Sequence, residues 1–160
     1  MKDVLLQVND LTIALDSGES TRMLVNGLSF ELIRGETLAL AGESGSGKSL
    51  TALSLMGLLP TIKGLSCTGQ FRTAWPGCTT CTLPAPEEVW KRIRGRWAGM
   101  IFQEPMTSLN PLMRCGQQVE EMIVQHVSVD KTEARNQTLQ LFQEVQLPDP
   151  IQIMQRYPHE

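Results

Sequence analysis

The chain has 160 residues, 41% of them apolar, and a formal net charge of −3, which is the size and balance of one domain with a real core. An acidic balance argues against a nucleic-acid binder held by a broad basic surface, because neutralising phosphates takes clustered Lys and Arg. Apolar runs such as Leu38-Ala39-Leu40-Ala41 fall far short of the roughly 20 residues that cross a bilayer, and Met1-Lys2-Asp3 opens no apolar leader. The expectation is a cytoplasmic protein whose membrane role, if it has one, is peripheral.

In chain order, Val4-Leu5-Leu6-Gln7-Val8 and Leu11-Thr12-Ile13-Ala14-Leu15 read as short strands separated by a turn at Asn9-Asp10, followed by a polar loop and Met23-Leu24-Val25. Leu28-Ser29-Phe30-Glu31-Leu32 alternates with period two, Gly35 supplies a turn, and residues 37–41 fit a buried strand. After a glycine-rich loop, residues 50–56 contain good helix formers, with Gly57 and Pro60 to end the helix. Residues 61–89 offer one strand, Gln70-Phe71-Arg72-Thr73. The basic cluster Lys91-Arg92-Ile93-Arg94-Gly95-Arg96 reads as a solvated surface segment, and Trp97-Ala98-Gly99-Met100-Ile101-Phe102 as a strand.

Beyond Pro111 the period becomes helical, with Val119, Met122, Ile123 and Val127 on one face and His126 at its edge as a surface residue. A second helix is predicted from Asp130, where Asp130 and Glu133 form a capping-box variant, to its end at Leu147-Pro148. Asp149-Pro150 then caps a short third helix carrying Ile153 and Met154.

Four cysteines stand at positions 67, 78, 81 and 115. Cys78-Thr79-Thr80-Cys81 has the spacing of half a zinc knuckle, but completing it with Cys67, Cys115 or His126 matches no common zinc pattern. The expectation is free thiols in a loop.

The chemistry lies at residues 42–49. Gly42, Gly47, Lys48 and Ser49 meet the pattern G-x-x-x-x-G-K-[ST], with Gly45 as a further glycine and Glu43, Ser44 and Ser46 as spacers that contribute backbone. Glycines admit positive φ and let N–H groups converge on phosphate oxygens, while the following helix points its positive end there. Lys48 is placed for the β- and γ-phosphates and the Ser49 hydroxyl for Mg²⁺. Average usage yields about one chance match in two hundred chains of this length, so a triphosphate cradle is preferred over a glycine turn with an exposed lysine.

Residues 35–49 resemble the Walker A segment of ABC transporter ATP-binding subunits, in particular the dipeptide and oligopeptide importer group. Met100-Ile101-Phe102-Gln103-Glu104-Pro105-Met106-Thr107-Ser108-Leu109-Asn110-Pro111 resembles that group's Q-loop. Asn26-Gly27-Leu28-Ser29-Phe30 and Arg156-Tyr157-Pro158-His159-Glu160 also fit, so the likeness spans nearly all of the chain except 61–89. It implies an α/β fold of P-loop NTPase type, specifically the ABC ATPase type. That fold has an N-terminal antiparallel β subdomain, an incomplete core sheet around the Walker A strand and a helical subdomain at the C-terminal end.

The implied division is 1–60 for the β subdomain with the Walker A strand, loop and helix, 61–111 for a variable segment and the Q-loop strand, and 112–160 for the helical part. The implied ligands are ATP and Mg²⁺, with Gln103 positioning water and metal beside Ser49. The implied partners are membrane-embedded permease subunits and a second ATP-binding subunit, not nucleic acid, on the inner face of the cell membrane. Glu104 is read as loop structure and not as a general base. Where the family often places an adenine-stacking aromatic, this sequence has Leu15.

The family's LSGG signature, Walker B aspartate, catalytic glutamate and switch histidine would all follow Glu160. The expectation is therefore that residues 1–160 bind ATP with negligible hydrolysis. A decayed gene product with weak or no nucleotide binding, and a non-transport ABC ATPase acting on nucleic acid, stand as alternatives.

Overall fold

The structure, a computed structural model, describes residues 3–75, 80–103 and 108–160. Cys78, Thr79 and residues 104–107 lie outside the described residues. The chain forms two compact units, Met1–Ala98 and Gly99–Glu160.

The first unit opens with two long antiparallel strands, β1 (Val4–Asp16) and β2 (Thr21–Ile33). A helix, α1 (Lys48–Leu55), precedes β3 (Leu65–Thr73) and β4 (Thr80–Leu83), and α2 (Glu87–Ile93) closes the series. The sheet order is β2-β1-β3-β4, antiparallel throughout.

The turn expected at Asn9-Asp10 is instead a bulge inside β1. Asp10 takes φ 54 and its N–H donates to Ser29 Oγ at 2.9 Å, so the ladder shifts register between Val8 and Leu11 and continues. An aspartate tolerates the left-handed region, and one inserted residue exchanges the inward parity. Hence Leu6 and Val8 are buried before the bulge and Leu11 and Ile13 after it. Gly27, at φ 62, does the same for β2, which joins the two separate runs expected at 23–25 and 28–32.

The core gathers Leu6, Val8, Leu11, Ile13, Val25, Phe71, Leu83, Trp90 and Ile93, with Phe71 and Trp90 stacked at 5.3 Å between centroids. Two corrections follow from it. β3 begins at Leu65, well before the strand read at 70–73, because it pairs with β1 from Leu15 to Leu6. The basic cluster is not wholly solvated: Trp90 and Ile93, three residues apart, bury one face of α2 and leave Arg94 half-buried.

Two expected strands do not form. Residues 37–41 and 99–102 enter no ladder, and apart from an isolated Arg94–Ala98 bridge residues 97–102 have no β pairing. A strand exists through hydrogen bonds to a neighbour, and among the described residues none flanks either segment. Leu38 and Leu40 are 44% and 40% exposed and Ile101 is 91% exposed, which is the accessibility of a run with no covering layer.

The second unit holds α3 (Cys115–Val127), α4 (Lys131–Glu144) and α5 (Pro150–Ile153). On the face expected to be apolar in α3, Ile123 is buried but Met122 and Val127 are exposed. Asp130 caps α4 by accepting from the Glu133 N–H at 2.9 Å, but the Glu133 side chain turns forward to Gln137, so half of the capping box forms. The helix stops at Glu144, where Gln146 at φ 57 completes a left-handed end before Leu147-Pro148 is reached. Asp149 caps α5 through the Gln152 N–H, as the sequence indicates.

Candidate functional site

The glycine loop joins β2's side of the first unit to α1. Gly47 is the N-cap of α1 in the left-handed conformation, φ 87, and Gly45 has φ 80. Gly47 is buried, and a Cβ there would stand 2.6 Å from the Leu24 carbonyl oxygen and 2.7 Å from Val25 Cγ2. The loop is thus seated on β2 through a position that only glycine can fill. Inside α1, the Thr51 hydroxyl donates to Gly47 O at 3.0 Å and the Ser54 hydroxyl to Thr51 O at 2.7 Å, both buried.

Lys48 folds back over the loop. Its Nζ donates to the carbonyl oxygens of Gly42 at 2.8 Å and Glu43 at 2.6 Å, and to Ser46 Oγ at 3.2 Å. Within the loop the Ser46 N–H is taken by Glu43 O. The N–H groups of Gly45, Gly47, Lys48 and Ser49 donate to no acceptor among the described residues, and α1 has no side-chain cap. Four free amide donors, a helix N-terminus and a lysine held only by neutral oxygens form a set that fits an anion of several oxygens. The Ser49 hydroxyl is exposed and carries no hydrogen bond, which leaves it free to ligate a cation.

The other residues singled out by the sequence lie on other segments of the chain. Gln103 is exposed and belongs to the second unit, and Glu104 lies outside the described residues. Leu15 sits half-buried on β1 between Arg22 and Leu65. His126 is half-buried in the last turn of α3. Cys81 lies on β4 and is disulfide-bonded, which corrects its reading as a free thiol in a loop. Cys67 is free, and burial pushes its thiol pKa up.

Neither of two concavities coincides with the loop. One of about 510 Å³ is lined by α3 and α4 residues including Gln117, Glu121 and Lys131, and one of about 310 Å³ lies by the C-terminal end of α1 beside Gly57, Leu59 and Trp90. The site is an exposed arch, recognisable by its backbone donors and not by its volume. Arg94, which the sequence reading left in a solvated basic cluster, hydrogen-bonds the far end of α1. The spacing of Trp90 and Ile93 behind the acidic pair Glu87 and Glu88 was the available signal for a helix there.

Residues 25–160 match the ABC transporter family. The chain is 41% identical over 155 residues to the oligopeptide transport ATP-binding protein AppD of Bacillus subtilis (strain 168), covering 97% of this chain and 46% of that protein. It is 40% identical over 158 residues to the oligopeptide transport ATP-binding protein OppD of Salmonella typhimurium (strain LT2), covering 99% of this chain and 45% of that protein. The chain therefore spans about half the length of the curated relatives it matches. Its fold is similar to the dimeric structure of MJ0796, a bacterial ABC transporter cassette, with a TM-score of 0.74 at 19% identity over 97% of this chain and 62% of that one. A glycine loop seated on β2 ahead of α1, within a family match that runs from residue 25 to residue 160, shows that this chain belongs to the ABC transporter family.

Proposed function

We propose that the chain binds ATP with Mg²⁺ at residues 42–49, as part of the energy-coupling ATPase subunit of a peptide-type importer. The observation that carries this reading is the pairing of free N–H donors at Gly45, Gly47, Lys48 and Ser49 with a Lys48 ammonium that has only neutral partners. A triphosphate would replace the loop carbonyls as the lysine's acceptor, gaining a charge-assisted bond where a neutral one stood. The Ser49 hydroxyl would hold the metal, which supplies charge neutralisation between phosphates when bound. The names of the relatives support oligopeptides as the cargo class; permease subunits and a second ATP-binding subunit at the cytoplasmic face of the membrane are the partners this reading implies.

Residues 1–160 are proposed to clamp nucleotide without appreciable turnover. Phosphoryl transfer takes a positioned water and several charges around the γ-phosphate, and of these the loop itself offers the Lys48 ammonium and the Ser49 hydroxyl. A second reading, a chain that binds nucleotide weakly and drives nothing, draws on the unpaired residues 37–41 leading into the loop.

Titration of the full chain with a fluorescent ATP analogue and Mg²⁺ tests both. Saturable binding that Lys48→Ala weakens about tenfold or more supports the clamp. Binding that is absent, or indifferent to Lys48→Ala, overturns it.

A further inference from the structure

The helix that presents the phosphate donors is held at both ends, and the second hold comes from a residue far along the chain. α1 ends in a left-handed Gly57, φ 62, with Leu58 N–H donating to Leu53 O at 2.8 Å and Gly57 N–H to Ser54 O at 3.1 Å. That arrangement satisfies the carbonyls of Leu53 and Ser54 but not those that follow. Arg94 takes two of these: its Nε donates to Met56 O at 2.7 Å and its Nη2 to Gly57 O at 2.8 Å. The Nη1 side of the same guanidinium is fixed by Glu87 Oε1 at 2.8 Å. Trp90 fills the space a Gly57 side chain would need, so α2 and the residue after it grip the end of α1.

We propose that Arg94 is a positioning residue for the phosphate cradle, acting through α1. The inference rests on the nucleotide reading of residues 42–49. α1 has eight residues, about 12 Å from end to end at 1.5 Å per residue. At its N-terminal end Gly47 is seated against Leu24 and Val25. A short rod pinned at one end pivots; pinned at both, it keeps the Lys48 and Ser49 amides aimed at one point, and donors fixed before binding cost less to order. The planar fork of arginine matches two successive carbonyls with direction, which a lysine ammonium does not. A cation at the C-terminal end also complements the helix dipole.

The test uses the full chain in four forms: wild type, Arg94→Met, Arg94→Lys and Glu87→Gln. Binding of the fluorescent ATP analogue with Mg²⁺ is read beside amide exchange over residues 47–56. Arg94→Met is expected to weaken binding about fivefold and to speed exchange across α1, with Arg94→Lys recovering part of both. Glu87→Gln removes a half-exposed ion pair but leaves both carbonyl bonds, so its affinity should stay within about twofold of wild type.

Wild-type affinity and wild-type exchange in Arg94→Met would overturn this inference and leave the nucleotide reading standing. Weakened binding in Arg94→Met with wild-type exchange over residues 47–56 would also overturn it, since the effect would then not pass through α1. Failure of the wild type to bind nucleotide overturns the nucleotide reading and this inference with it.

Discussion

Gly47 lies so close to Leu24 that an added Cβ would stand 2.6 Å from the Leu24 carbonyl oxygen, and its φ of 87 is one that side chains rarely adopt. Gly47→Ala therefore meets steric and conformational strain together. The expected cost is about 1–3 kcal/mol, with loss of ATP-analogue binding, measured by denaturant unfolding and by titration. Gly18→Ala, at the same φ of 87 with open space around it, should keep binding unchanged.

Residues 37–41 have no ladder partner among the described residues, and Leu38 and Leu40 are 44% and 40% exposed. Their amides are expected to exchange near the unprotected rate, while those of Val8 and Ile13 in β1, buried and paired on both sides, exchange slowest in the unit. Leu40→Ser should change stability by under about 0.5 kcal/mol, the range for an exposed position. A protected segment at 37–41, seen by hydrogen exchange with mass spectrometry, would contradict the unpaired arrangement.

Asp130 and Glu133 form only half of a reciprocal cap, because Glu133 Oε1 accepts from Gln137 at 2.8 Å. Asp130→Ala is expected to destabilise the helical unit by about 1 kcal/mol, the usual worth of an N-cap. Glu133→Gln should cost under about 0.5 kcal/mol. Circular dichroism at 222 nm during urea unfolding (a wavelength set by helix absorption) compares them, and equal losses would restore the full box.

Burial raises the Cys67 thiol pKa, and this sets a pH dependence. In the folded chain the neutral thiol persists to higher pH than in the unfolded chain. The contribution to stability is therefore full below the unfolded pKa and is lost as pH rises through the folded one. Alkylation follows the thiolate, so Cys67 should react slowly with iodoacetamide near neutral pH and accelerate only above the usual thiol range. Mass mapping after timed quenching reads this directly; rapid neutral alkylation of Cys67 in the folded chain would contradict it.

The conformation of residues 42–49 was legible in the sequence because its requirements are local. Positive φ at Gly45 and Gly47, a lysine at the next position and a helix behind them follow from residue types at fixed spacing, and the caps at Asp130 and Asp149 are local in the same sense. Tertiary structure decided what depends on distant partners. The turn signals at Asp10 and Gly27 became bulges, since β1 and β2 continue to pair past them. The β-prone residues 37–41 and 99–102 stayed unpaired, since propensity makes no strand without a neighbour to bond. Arg94 reads as one charge in a basic run, and only the folding of α2 against the end of α1 brings it to the carbonyls of Met56 and Gly57. The loop's conformation follows from eight consecutive residues, whereas Leu24 beneath Gly47 and Arg94 at the far end of α1 reach their places only through the fold.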